Sequence, residues 1–230
     1  MRVAIFDFDR TLFPEETFPL MMTHLKTHPM HYRKYNTFMR KITPMYTAYK
    51  LKLYPERKMK EDSMRSYISS FKKTSREDVD KFFAQLANQM KKRLNREVLD
   101  RLEWHRNRGD YTVLVSGAFE PMLETITNDL PFDLVIGTEV PYKEGYLDHK
   151  KKIQHVNGDR KMKKVMEHLR PAVIDWKGSY AYGDSFSDLD VLEAVGNPVA
   201  VQPEPRLKKV AEQLNWETIP VEQNQIFPGK

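Results

Sequence analysis

The 230-residue chain carries 38 Lys and Arg against 32 Asp and Glu, a formal charge of +6, and no cysteine. That length can bury a sizeable core as one domain or as a domain with an insertion, and the missing cysteines exclude disulfides, thiolate nucleophiles and cysteine-ligated zinc. With no run of about eighteen apolar residues and no charged leader ahead of an apolar segment, neither membrane insertion nor export is predicted, and a cytoplasmic location is expected.

The first element is the apolar run that starts at Val3 and stops at two acids, in Val3-Ala4-Ile5-Phe6-Asp7-Phe8-Asp9-Arg10-Thr11-Leu12. Its length and β-branched content predict a buried parallel strand. Open α/β sheets bind ligands beyond the carboxyl ends of their strands, so Asp7 and Asp9 point toward a site, and period two places them on one side of the chain. Two such acids are kept close when a cation sits between them or one holds a proton.

Phe13-Pro14 breaks this strand, and a long glycine-free stretch follows, running to Arg108. Apolar residues recur at three and four (Met21, Met22, Leu25; Phe38, Ile42, Met45, Tyr46, Tyr49), with Pro29, Pro44 and Pro55 expected as breaks. An all-helical insertion is therefore expected over residues 14–98, with core segments at 1–13 and 99–230. Residues 14–100 hold 19 Lys and Arg against 10 Asp and Glu, which leaves the rest of the chain at −3. A basic face of this kind attracts nucleic acid, an anionic membrane or an anionic small substrate. His24, His28 and His31 approach zinc spacing but have no carboxylates beside them, and solvated histidines are expected.

The α/β pattern resumes with a helix near Val98 to Arg106 and a strand at Tyr111 to Val115, which ends at Ser116-Gly117-Ala118. A helix near Glu120 to Asp129, a strand at Leu134 to Gly137 and a hairpin near Tyr142 to Leu147 follow. A Lys-rich helix runs near Arg160 to Leu169, and Tyr180-Ala181-Tyr182-Gly183-Asp184 forms a second acid-ended strand. A short strand at Pro198 to Val201 and a closing helix from Leu207 to Leu214 complete the pattern. Strand alternating with helix predicts a doubly wound parallel sheet. Its strand ends and helix starts supply Asp7, Asp9, Thr11, Ser116, the Gly117 amide, a Lys near residue 161, Asp184 and Asp188. Carboxylates suit Mg²⁺, which prefers oxygen ligands: Asp7, Asp184 and a backbone carbonyl at Asp9. Lys161, Ser116 and nearby amides suit phosphoryl oxygens. Asp7 is the candidate nucleophile for an aspartyl-phosphate, and Asp9 the candidate acid and base.

Asp7-Phe8-Asp9-Arg10-Thr11-Leu12, Val115-Ser116-Gly117, Lys161 and Gly183-Asp184-Ser185-Phe186-Ser187-Asp188 together resemble the four motifs of the haloacid dehalogenase superfamily of phosphatases, in the branch related to phosphoserine phosphatase. The resemblance implies a Rossmann-like core with a helical cap inserted between the first two motifs. It also implies Mg²⁺ and a small phosphorylated substrate, with no nucleic acid expected. Lys161 competes with Lys163 and Lys164 for the third motif, and Asp188 either reaches the metal or orients Lys161. Glu16 occupies the place of a Glu that faces a substrate ammonium, which favours phosphoserine. Tyr67 stands where a carboxylate-binding Arg is expected, with Arg65 out of register, which argues against it. The basic cap is expected to steer anions, with Lys72 and Lys73 near the substrate side. A non-catalytic nucleic-acid or membrane-binding module is the reading of a different class, and the intact acids argue against it. Oligomeric state stays open.

Overall fold

A computed structural model describes residues 1–169 and 173–220. Six parallel strands form one sheet: β1 (Val3–Phe6), β2 (Tyr111–Phe119), β3 (Leu134–Thr138), β6 (Tyr180–Gly183), β7 (Asn197–Val201) and β8 (Glu217–Ile219). Their spatial order is β3-β2-β1-β6-β7-β8, so the chain builds outward from β1 in one direction and then from β6 in the other. The reversal lies between β1 and β6, where Ala4 pairs with Tyr180 and Phe6 with Tyr182. A crevice opens at such a switch point, beyond the carboxyl ends of the two strands.

Every residue of β1 is buried, because both faces of the sheet are covered. Val3 and Ile5 face an apolar cluster containing Val165, Leu192 and Leu207. Those residues belong to α7 (Asp159–His168), α8 (Leu189–Glu193) and α9 (Pro205–Gln213). Ala4 and Phe6 face the other cluster, which takes in Leu102 of α5 (Arg96–Asn107) and Ile126 of α6 (Glu120–Thr127). This second cluster continues without interruption into the inserted helices α1 (Thr17–Thr27), α2 (Tyr32–Lys50), α3 (Glu56–Ser69) and α4 (Arg76–Lys91). A hairpin of β4 (Tyr142–Lys143) and β5 (Tyr146–Leu147) ties core to insertion: Leu147 donates its N–H to the Thr74 carbonyl at 3.1 Å, and the Tyr142 hydroxyl donates to Asp80 at 3.0 Å.

Several expectations change. The first strand ends at Phe6, since Asp7 to Phe13 turn back on themselves with Phe13 N–H bonded to the Phe8 carbonyl. Pro44 does not break its helix: α2 runs through it, and the Thr43 hydroxyl bonds back to the Met39 carbonyl at 2.7 Å. A final strand, β8, follows the closing helix. The histidines are not solvated: His28 and His31 are buried and stacked, His28 holds Gln85 at 3.0 Å, and the His24 and His31 rings both pack on Phe82. Burial, followed by the charge of its neighbours His28 and Lys34, pushes the His31 pKa down to about 4. Among the described residues no helix is long and apolar enough to cross a membrane.

Candidate active site

Asp7 follows β1 directly and Asp184 follows β6 directly, so the register of these two neighbours sets their carboxylates side by side over the switch point. Asp188 joins them from the 3-10 turn Phe186–Asp188, which packs tightly under β6. A Cβ at position 183 would lie 2.7 Å from the Asp188 Cβ, so glycine there permits the approach. Asp7, Asp184 and Asp188 each place one carboxylate oxygen within 4.8 Å of the others. Lys161, on the first turn of α7, enters this cluster with its Nζ 2.5 Å from both Asp7 Oδ1 and Asp188 Oδ1. It is buried, whereas Lys163 is exposed and Lys164 faces Glu139 and Glu167.

Three carboxylates around one ammonium leave an excess of negative charge. Burial and then the neighbouring Asp188 raise the Asp7 pKa to about 7, against the pull of Lys161. Burial and the charges of Asp7 and Asp188 raise Asp184 to about 9. Burial alone would lower Lys161, but attraction to Asp188 and Asp7 outweighs it and the ammonium is held charged. Such a cluster takes up protons or a cation. The donor set fits a hard divalent ion: Asp7 Oδ2 and Asp184 Oδ1 have no protein donor among the described residues. Asp188 is fully engaged, by Lys161 on one oxygen and by the Ser185 N–H and hydroxyl on the other.

Asp9 stands outside the cluster. Its carboxylate accepts the Thr17 N–H and the Thr17 hydroxyl, both at 3.1 Å, and so sits on the amino end of α1. Burial raises its pKa to about 6, against the Thr17 bonds that favour the anion. Ser116 and Gly117 lie at the end of β2, where the chain bulges out of register with β3. Ser116 Oγ accepts the Ala118 N–H at 3.1 Å. Thr11 is set apart: it is fully buried, does not line the cavity, and has no partner for its Oγ1.

These groups open onto a cavity of about 270 Å³ between the strand ends and the inserted helices. Glu16 lines it, and α3 contributes Met59, Lys60, Ser63 and Met64, with neither Arg65 nor Lys72 nor Lys73 among the lining residues. Tyr67 is buried, with its hydroxyl donating to the Met21 carbonyl at 2.9 Å; Arg65 pairs with Asp62 at 3.1 Å; Lys72 and Lys73 do not line the cavity. Helical spacing explains the difference, since Met59, Ser63 and Tyr67 lie along one ridge and only Met59 and Ser63 of the three reach the opening. Two ion pairs hold the first half of α3 against α7, Arg160 with Glu61 and, at 3.4 Å, Arg57 with Asp159.

Sequence reasoning missed Arg10, Lys60 and His155. Arg10 sits at φ 55 and reaches Asp184 at 3.3 Å. His155 lies against Gly117, where a Cβ would come within 2.6 Å of its Nε2, so glycine makes room for the ring. Burial, reinforced by Lys161 and Arg160, pulls His155 down to about 4 and keeps it neutral. The motif spacing carried no signal for His155 or Lys60. Arg10 lay inside the first motif, and its positive φ was not readable.

Residues 4–193 match the family of haloacid dehalogenase-like hydrolases. The chain belongs to that family. It is 28% identical over 137 residues to the "Inhibition of morphological differentiation protein" of Streptomyces azureus, a match covering 58% of this chain and 50% of that one. It is 25% identical over 115 residues to "Phosphoserine phosphatase SerB1" of Mycobacterium tuberculosis H37Rv, covering 50% of this chain and 37% of that one. The matched regions thus span about half or less of these relatives' own length. In structure it resembles a protein of unknown function from Bordetella pertussis Tohama I, with a TM-score of 0.78 at 20% identity, over 96% of this chain and 99% of that one.

Proposed function

We propose that this hydrolase is a Mg²⁺-dependent phosphomonoesterase that acts through an aspartyl-phosphate on a small anionic substrate, with the inserted helices of residues 14–98 as a cap over the site. The observation that carries this reading is Lys161 held at 2.5 Å from both Asp7 and Asp188 beside Asp184, at the ends of β1 and β6. Asp7 and Asp184 would hold the metal with the Asp9 carbonyl, and Asp188 would position Lys161 and the metal's surroundings. The ion would draw charge from the phosphoryl oxygens.

The chain's own groups divide the remaining work. Asp7 offers one carboxylate oxygen as nucleophile toward phosphorus and keeps the other for the ion, and Lys161, Ser116 and the Gly117 amide compensate charge on the transferred group. Asp9, with a pKa near 6, gives a proton to the leaving oxygen and takes one from the water that attacks Asp7-bound phosphate. Thr17 fixes the orientation of that carboxylate through both oxygens. Thr11, behind the cavity, supports the loop by offering its carbonyl to Asn95.

Phosphoserine is the second reading, favoured by Glu16 on the cavity wall and by the name of the Mycobacterium relative. Against it, the cap offers Lys60, paired with Glu56 at 2.9 Å, and no Arg to a substrate carboxylate. A panel of phosphomonoesters assayed with and without Mg²⁺ tests both. Metal-dependent phosphate release is expected, with phosphoserine below the best substrate. Release that ignores Mg²⁺, or none from any ester, contradicts the proposal.

A further inference from the structure

From Thr17 to Pro55 the chain holds seven Lys and Arg, three His and no Asp or Glu. The helix α2 fills the middle of this stretch, and its nineteen residues span about 28 Å. It packs through one face only: Phe38 and Ile42 are buried, and Tyr35, Met39, Met45 and Tyr49 lean on the same core. Its opposite face presents Arg33, Arg40, Thr43, Pro44, Thr47 and Lys50 to solvent.

Two features set this face apart from an ordinary solvated surface. First, the stretch holds no carboxylate of its own, and Lys26, Arg33, Arg40, Lys50 and Lys52 form no ion pair with any other carboxylate among the described residues. Arg33 and Lys50 lie over the rings of Tyr32 and Tyr46 instead, at 5.9 and 5.3 Å. Second, both ends of the helix leave apolar side chains in water. Met30 is 71% exposed just before it, and Leu51 and Leu53 are 65% and 76% exposed just after it, alternating with Lys50 and Lys52. Helices that lie in a membrane interface combine cations with apolar and aromatic side chains in this way, and basic segments are drawn to anionic headgroups.

We propose that this face docks the protein on an anionic lipid bilayer. The helix α2 lies in the plane of the surface, Leu51, Leu53 and Met30 enter the headgroup and acyl boundary, and the unpaired Lys and Arg meet lipid phosphates. A nucleic acid would use the same charges but leave the two leucines in water, so the apolar tip favours lipid. Docking stands apart from the proposed reaction, since none of these residues lines the cavity. It has a consequence for access all the same, because α3, which does line the cavity, begins directly after the Leu51 to Pro55 tip.

The test is sedimentation of the full chain with vesicles of phosphatidylcholine alone and with about a third phosphatidylglycerol. Binding is expected only to the anionic vesicles, with about fivefold loss of partition for each of Arg40→Gln, Lys50→Gln and Lys52→Gln. The pair Leu51→Ser and Leu53→Ser should lose at least about tenfold with charge unchanged, and with Tm and hydrolysis of a soluble ester as in the wild type. Absence of binding, or equal binding to neutral vesicles, overturns the proposal. So does a double leucine variant that binds like the wild type, because contact through charge alone is what single-stranded DNA or any polyanion would give. The wild type's release from vesicles by a single-stranded oligonucleotide, at a concentration that leaves the vesicles saturating, would likewise assign the face to nucleic acid.

Discussion

Charge is handled in opposite ways in two regions of this molecule. At the strand ends, Asp7, Asp184, Asp188 and Lys161 are buried within reach of one another, and each group's state depends on the rest. On α2, Arg33, Arg40 and Lys50 are exposed with no ion pair among the described residues, and each acts alone. Breaking a buried pair costs about 3–5 kcal/mol because a charge is stranded, whereas an exposed pair contributes about 0–1 kcal/mol. Single substitutions should therefore be severe at the first site, graded at the second, and separable in the assay.

The largest effect is expected from Asp7→Asn. An amide is a poor nucleophile and a weaker ligand for a hard cation, so kcat should fall at least about 10⁴-fold. Circular dichroism and Mg²⁺ titration calorimetry must accompany the rate, since loss of metal alone would also silence the enzyme. Undiminished turnover by a folded Asp7→Asn protein would dissolve the contrast between the two regions.

Next comes Lys161→Met, which removes the one cation that Asp7 and Asp188 share. A drop of about 10²–10³-fold in kcat is expected, with the Mg²⁺ concentration for half activity little changed; Asp184→Asn should raise that concentration instead. Lys163→Met, on the exposed face of the same helix, should be silent. If Lys163→Met mattered and Lys161→Met did not, the ion cluster would not be the phosphate site.

Asp7 and Asp184 were legible in the sequence because each sits at the end of an apolar run. Val3 to Phe6 and Tyr180 to Gly183 are continuous hydrophobic strands, and a residue that follows such a strand can go only to the sheet's carboxyl edge. Glu217–Ile219 has three residues, two of them exposed, and left no such trace. Pro44 misled because a proline costs a helix only where its missing N–H and its ring are not accommodated, and α2 accommodates both on its solvent side. The contribution of the helices between β1 and β2 was the least legible. Helical periodicity says which residues share a ridge, but not which turn of that ridge meets the cavity, so Tyr67 was weighed where Met59, Lys60 and Ser63 stand.

A smaller effect should appear in stability against pH at fixed, saturating Mg²⁺. His31 and His155 are both depressed to about 4, and His24 and His105 are also lowered, each chiefly by burial. A group with a lowered native pKa contributes its full stability above its unfolded value of about 6.5 and loses it as pH falls toward the native value. Tm should therefore decline between about pH 6.5 and pH 4, and His31→Gln should shrink that decline whatever it does to Tm at pH 7.5. A pH dependence unaltered by the substitution would mean that His31 does not report on folding.

The stereochemical course of hydrolysis tests the central claim most directly. Transfer to Asp7 and then to water is two in-line displacements, each inverting phosphorus. An isotopically chiral phosphorothioate monoester, turned over by the wild-type enzyme with Mg²⁺ in isotopically labelled water, should give thiophosphate with net retention. Net inversion would mean a single direct attack by water and would contradict a covalent role for Asp7.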